Sequence, residues 1–227
     1  MEQTINFSKT DFWASLAIGE ICAWLIIAVI NNLGIGIPYL RFLPIIFPIL
    51  CVIGLYAAHL IAKKIPVIYQ IAKFVLVGGF NTLADWGILA LLIFLFRRYF
   101  SIEPQDIIFS FSLFAAAYYS LYKSASFILA AVNSYFWNKF WTFGRKTTES
   151  VGKEFLQFLA ITIIGFLINV GIASGIFRYI VPFCGLNIDQ LAIIAAIFAT
   201  AVSMVWNFLG YKFVVFDERS KQLTASS

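Results

Sequence analysis

Residues 130–143, AAVNSYFWNKFWTF, and residues 204–216, MVWNFLGYKFVVF, are two versions of one pattern: a Lys, an aromatic, two residues and a Phe. Lys139 and Lys212 are 73 residues apart, as are Phe143 and Phe216. Each pattern follows an apolar stretch that also repeats, IAKFVLVGGFNTLADWGILALLIF at 71–94 and FLQFLAITIIGFLINVGIASGIF at 155–177. There Asp85 aligns with Asn169 and Gly87 with Gly171, 84 residues apart. The 11-residue difference between the two offsets is a longer loop inside the first hairpin. A duplicated two-helix hairpin in lipid is a transporter-like architecture, because substrate sites form where membrane repeats meet.

Working outward, the whole chain is too apolar for a soluble globule. Of its 227 residues 62% are hydrophobic and 12% charged, with a mean hydropathy of +0.91, so an integral membrane protein is expected. Apolar runs of roughly 20 residues, the length that crosses a bilayer as helix, fall at 12–32, 39–62, 71–96, 120–141, 155–180 and 190–213. The expected fold is all-α with six transmembrane helices, two of the hairpins being repeats. The run at 107–119 is also apolar and is placed along the interface. Three regions follow: a two-helix extension at 1–65, a four-helix membrane domain at 66–217 and a tail at 218–227.

Basic residues orient the chain. With six spans, eleven of the sixteen Lys and Arg residues lie on the side of the termini, which puts both termini in the cytoplasm. The net charge of +5 is then a topology signal and an attraction to anionic lipid, not a sign of nucleic-acid binding. Cys22, Cys51 and Cys184 have no metal-ligand spacing, and the single histidine, His59, reads as a bonded helix-packing group. With one histidine and scattered cysteines, neither a metal site nor a His-based catalytic group is expected. No phosphate-cradling Gly-rich loop is present, so ATP-driven pumping has no visible site; no enzyme activity or cofactor is expected.

Polar groups at lipid depth carry the functional reading. An ionised Asp85 near mid-span costs roughly 2.5–3.5 kcal/mol on insertion scales, so something must offset it. Asn81 lies one turn away on the same helix face, and Asn133 and Asn169 fall at similar depth in the next two spans. The four line a polar groove, or they act as interhelical glue. Near the cytoplasmic interface, Lys73, Asn138, Lys139 and Lys212 sit among aromatics. Interfacial snorkelling accounts for lysines there, whereas the recurrence of the motif points to a lipid-phosphate site. Gly171 and Gly175, with Ala192, Ala195, Ala196 and Ala199, read as close-packing residues within the chain, ahead of a homo-oligomer face.

The runs KFVLVGGFNTLADWGILALLIF, SFILAAVNSYFWNKFWTF, EFLQFLAITIIGFLINVGI and WNFLGYKFVVF resemble, in this order, the four membrane helices of the GtrA-like family. The resemblance spans about Ile71 to Phe216, so residues 1–65 lie outside it, and Gly210-Tyr211 stand where the first repeat has Trp137-Asn138. It implies a bacterial inner-membrane protein that flips polyprenyl-phosphate-linked sugars for cell-surface polysaccharide modification. It also implies an alternative, a non-transporting anchor for a polyprenyl-phosphate glycosyltransferase, as in the membrane part of polyprenyl-phosphate mannose synthases. The expected partners are the lipid-linked sugar, membrane lipid and such a transferase. A third reading, more distant, is an antiporter that uses Asp85 for proton coupling.

Overall fold

The computed structural model describes residues 6–32, 34–111, 114–145, 150–179 and 188–217. Six long helices carry the fold: α1 (Lys9–Asn32), α2 (Leu43–Ala62), α3 (Val67–Phe100), α4 (Tyr118–Trp137), α5 (Val151–Tyr179) and α6 (Ile188–Gly210). Between α3 and α4, strands β1 (Ile107–Phe111) and β2 (Phe114–Ala117) pair antiparallel. The stretch placed flat along the interface is therefore a small hairpin. Its Ile and Phe residues favour extended backbone, and pairing satisfies that backbone.

Among the described residues, five helices are long and apolar enough to cross a bilayer: Lys9–Asn31, Leu40–Ala62, Val67–Phe100, Val151–Ile176 and Ala192–Val215. The chain is thus a multi-pass membrane protein. The helix outside this set is α4, whose 20 residues include Lys123, Ser126 and Asn133. All three bond to α3: Lys123 Nζ pairs with Asp85, Ser126 Oγ donates to Asp85 Oδ1 at 2.7 Å, and Asn133 Nδ2 donates to Asn81 Oδ1 at 2.6 Å. The polarity that lowers the hydropathy of α4 is directed into a helix pair. At 34 residues, α3 is about 51 Å long at 1.5 Å per residue. Asp85 lies 12 residues from both Lys73 and Arg97, which places it midway between the charges near the two ends of α3.

Packing groups the chain into two compact units, Met1–Gly144 and Arg145–Ser227. In the first, α1, α2 and α3 pack on one another and α4 packs on α3. Its core draws Ile18 and Cys22 from α1, Leu55 and Ala62 from α2, Val77 and Phe80 from α3, and Trp141 from beyond α4. The two helices of the extension thus share a core with the first hairpin. They touch backbone to backbone, since a Cβ on Gly19 would stand 2.5 Å from Pro48 Cα. His59 packs among the rings of Phe7, Tyr56 and Tyr69. Its Nδ1 has no hydrogen-bond partner among the described residues.

The second unit is the α5–α6 hairpin. Of the residues expected to pack closely, Ala195 and Ala199 are buried, but the glycines differ. A Cβ at Gly171 or Gly175 would meet nothing within 4 Å, whereas one at Gly165 would run into the Asn207 amide and one at Gly210 would come within 2.5 Å of Ile161 Cγ2. The helices meet nearer their connection to the motif, where Phe158 stacks on Tyr211 with ring centroids 4.3 Å apart.

Candidate functional site

Both hairpins end in the same irregularity. α4 runs into a five-residue π-helical turn, Asn138–Thr142, and α6 into another, Tyr211–Val215. The two turns are 73 residues apart, the offset already read from the lysines. Each closes through a hydrogen bond five residues long: Phe143 N to Asn138 O at 2.9 Å, and Phe216 N to Tyr211 O at 2.8 Å. Such turns are rare and cluster at functional sites. Lys139 and Lys212 are the second residues of the two turns.

The side chains of the two turns differ. Lys139 is only 3% exposed; its ammonium is 3.1 Å from Tyr135 Oη and lies over the rings of Tyr135 and Phe140 at 5.3 and 5.6 Å. Asn138 is fully buried beside it and donates from Nδ2 to Ser134 O at 2.9 Å. Its Oδ1 has no partner among the described residues, and neither has the buried Oγ1 of Thr142. A buried polar atom left unmatched costs about 1–3 kcal/mol and marks a place where a water or ligand atom belongs. In the second turn, Tyr211 replaces Asn138 and Val215 replaces Thr142. Tyr211 Oη is 2.7 Å from Thr162 Oγ1, and Lys212, half-buried, lies over Phe208 and Phe213.

Lys73 already has a protein counterion. It forms an ion pair with Asp11 of α1 in which the side chains are 12% and 6% exposed, and its ammonium lies 4.5 Å from the Tyr69 ring and 5.4 Å from the Trp141 ring. Asp11 is held further by Trp141 Nε1 at 3.0 Å and by Ser8, whose N and Oγ donate to Oδ2 at 3.0 and 2.7 Å.

Deeper in the first unit, the polar residues form two rungs between α3 and α4. Asn81 meets Asn133 in one, and Asp85 meets Lys123 and Ser126 in the other. Asn81 Nδ2 is buried without a partner among the described residues. Lys123 supplies what Asp85 needs at that depth, although its side chain stays 40% exposed. Asn169 lies in the second unit, where Nδ2 is 3.3 Å from Thr200 Oγ1 and 3.4 Å from Ser203 Oγ. Sequence reasoning missed Asp11 and Lys123. The first reads as an ordinary acid in a first helical turn, and the second as a charge near the start of the span expected at 120–141. The signal for Lys123 was present, because an Asp at mid-span calls for an opposite charge on a neighbouring helix.

The model of the family described as "GtrA/DPMS, transmembrane domain" matches residues 73–216, from Lys73 to the Phe that closes the second π turn. Among curated proteins, the "Uncharacterized membrane protein YngA" of Bacillus subtilis (strain 168) is 30% identical over 159 residues, which covers 69% of this chain and 85% of that relative.

Proposed function

The chain belongs to the GtrA/DPMS transmembrane-domain family, and from that premise we propose that it moves a polyprenyl-phosphate-linked sugar across the bacterial inner membrane for cell-surface polysaccharide modification. The observation that carries this reading is the first π turn. It groups a buried ammonium on Lys139, a hydroxyl on Thr142 that can donate, and the Asn138 Oδ1 that can only accept. A cation and a donor suit phosphate oxygens, while an acceptor suits a sugar hydroxyl. Asn138 therefore belongs to the sugar end of the site and Lys139 to the phosphate.

The other residues take supporting roles in this reading. Lys73 is neutralised by Asp11, which in turn holds the indole of Trp141 within the turn, and Lys212 is the weaker counterpart of Lys139 in the second repeat. Asn81, Asp85 and Asn133 offer the sugar polar contacts at depth in the first unit, and Asn169 offers its own in the second, while the polyprenyl chain stays in lipid. The topology is six spans with both termini cytoplasmic. α4 counts as a span because its polar side chains are matched on α3 and need not meet lipid. No bond is made or broken, so the protein acts as a carrier and not as an enzyme.

The family description also covers the membrane domains of synthases, which keeps the anchor reading in play. Purified protein in proteoliposomes loaded with a polyprenyl-phosphate-linked sugar separates the two. With no transferase present, a carrier makes the inner-leaflet lipid accessible to an external sugar-oxidising reagent. An anchor leaves it protected, and protection at the level of empty vesicles would reject the carrier reading.

A further inference from the structure

The opening turn of α1, the end of α4, and Phe140 and Trp141 of the first π turn line an open groove. Its volume is about 770 Å³, inside the range of roughly 300–1,000 Å³ typical of small-molecule sites. Lys9, Thr10 and Trp13 line it from the extension, and Phe136, Phe140 and Trp141 from the hairpin. Phe136 and Phe140 stand parallel, with centroids 6.0 Å apart and planes 9° apart, and form a flat apolar rail. Trp13 is 64% exposed. Trp141 is held in place because its indole N–H donates to Asp11.

The charge at the mouth is set by the same contacts. Asp11, two residues after Lys9, would repel an anion, but Lys73, Trp141 and Ser8 take up its carboxylate. Lys9 is exposed and forms no ion pair with any described residue. The mouth therefore carries one uncompensated positive charge above one apolar channel. A single-chain lipid phosphate matches both features, its anion meeting Lys9 and its chain lying along the Phe136–Phe140 rail.

We propose that the N-terminal extension completes a groove for the isoprenoid chain of a polyprenyl phosphate, with Lys9 as the cation at its interfacial mouth. The proposal rests on the polyprenyl reading of the π turn and extends it to residues 1–65, which the family match leaves out. In it, Asp11 is a positioning residue: with its charge taken up by Lys73, it sets the Trp141 wall.

Photolabelling tests it, using the full chain in phosphatidylethanolamine–phosphatidylglycerol nanodiscs and a polyprenyl phosphate that carries a diazirine on its chain. Label should map to Trp13 and to residues 136–141. Lys9→Glu should reduce it about tenfold, the effect of losing one contact of ordinary strength, whereas Lys9→Arg should retain it and Trp13→Ser should reduce it. Lys9 and Trp13 are exposed, so an unchanged Tm accompanies these effects. Unlabelled polyprenyl phosphate should compete, and phosphatidic acid at the same concentration should not. Undiminished labelling in Lys9→Glu and Trp13→Ser, or equal competition by phosphatidic acid, overturns the groove. Retention of polyprenyl phosphate by the purified protein separates the two readings. Retention without groove label removes only the groove, and loss of retention removes the polyprenyl reading with it.

Discussion

Asn138 and Tyr211 hold the same first position in two π-helical turns 73 residues apart, yet Asn138 leaves Oδ1 without a partner among the described residues while Tyr211 Oη lies 2.7 Å from Thr162. Duplication kept the backbone and its lysine, and the side chains diverged. One copy keeps buried polar atoms that no described residue matches. In the other, the equivalent positions carry Tyr211, bonded to Thr162, and Val215.

The second repeat suggests its own test of the first. Val215 occupies the position of Thr142, so Thr142→Val reproduces a shape that a π turn of this chain already tolerates. Removing a buried hydroxyl without a partner should leave stability unchanged or raise it by about 1 kcal/mol, while polyprenyl-phosphate binding falls. A marked drop in Tm would mean that the hydroxyl supports the fold and not a ligand.

Asn138 and Lys139 should separate by ligand. Asn138→Ala removes an acceptor for a sugar hydroxyl, so it should weaken binding of the sugar-linked lipid by about tenfold and leave plain polyprenyl phosphate nearly unaffected. Equilibrium binding of the two lipids to one preparation measures the difference. Equal losses for both would move Asn138 to the phosphate.

The Asp85–Lys123 pair should behave as a unit. Asp85→Asn strands an ammonium at depth and Lys123→Met strands a carboxylate, whereas the double variant strands neither. The coupling energy should be near 1 kcal/mol, the lower part of the usual range for residues in contact, because Lys123 is partly exposed and solvent weakens the pair. Thermal unfolding in detergent gives the cycle. Strictly additive losses would show that the two charges do not support each other.

Helix propensity and packing oppose each other at two glycines of the extension. Gly→Ala inside a helix gains about 0.8–1 kcal/mol of propensity, and at Gly54 a Cβ would meet nothing within 4 Å, so Gly54→Ala should stabilise. At Gly19 the same Cβ meets Pro48 Cα at 2.5 Å. Overpacking of about 1–3 kcal/mol should then win, and Gly19→Ala should lower Tm. The opposite order would place α1 and α2 farther apart.

How much of this was legible beforehand follows from what each feature depends on. The repeat was readable because Lys139, Phe143, Lys212 and Phe216 keep one offset, and the π turns fall on that offset. The π geometry itself was not, since Trp137 to Thr142 contains nothing that forbids an ordinary helix. α4 was expected as a span, and its low hydropathy makes sense only once Lys123, Ser126 and Asn133 are seen to face α3. The pairing of Lys73 with Asp11 joins residues 62 positions apart, beyond the reach of any local pattern. Glu20, which accepts from Trp24 Nε1 at 2.7 Å within α1, was legible as a lone mid-helix carboxylate.

Topology has a separate test. A cysteine at Ser227 in a variant lacking the native cysteines should resist a membrane-impermeant thiol reagent in intact cells and react after permeabilisation. Reaction in intact cells would reverse the orientation and put the π turns on the wrong face for a cytoplasmic lipid-linked substrate.

The central claim is that the first π turn, and not the second, receives the lipid phosphate. The direct measurement is the Kd for polyprenyl phosphate of Lys139→Ala and Lys212→Ala in nanodiscs, with Tm recorded for both. Lys139 is buried beside unmatched polar atoms, and Lys212 is half-buried where Tyr211 and Val215 replace those atoms. The account predicts a loss of about tenfold or more for Lys139→Ala, the scale of a charge-assisted contact, and little change for Lys212→Ala. Equal Kd values in two well-folded variants, or the larger loss at Lys212, would contradict it.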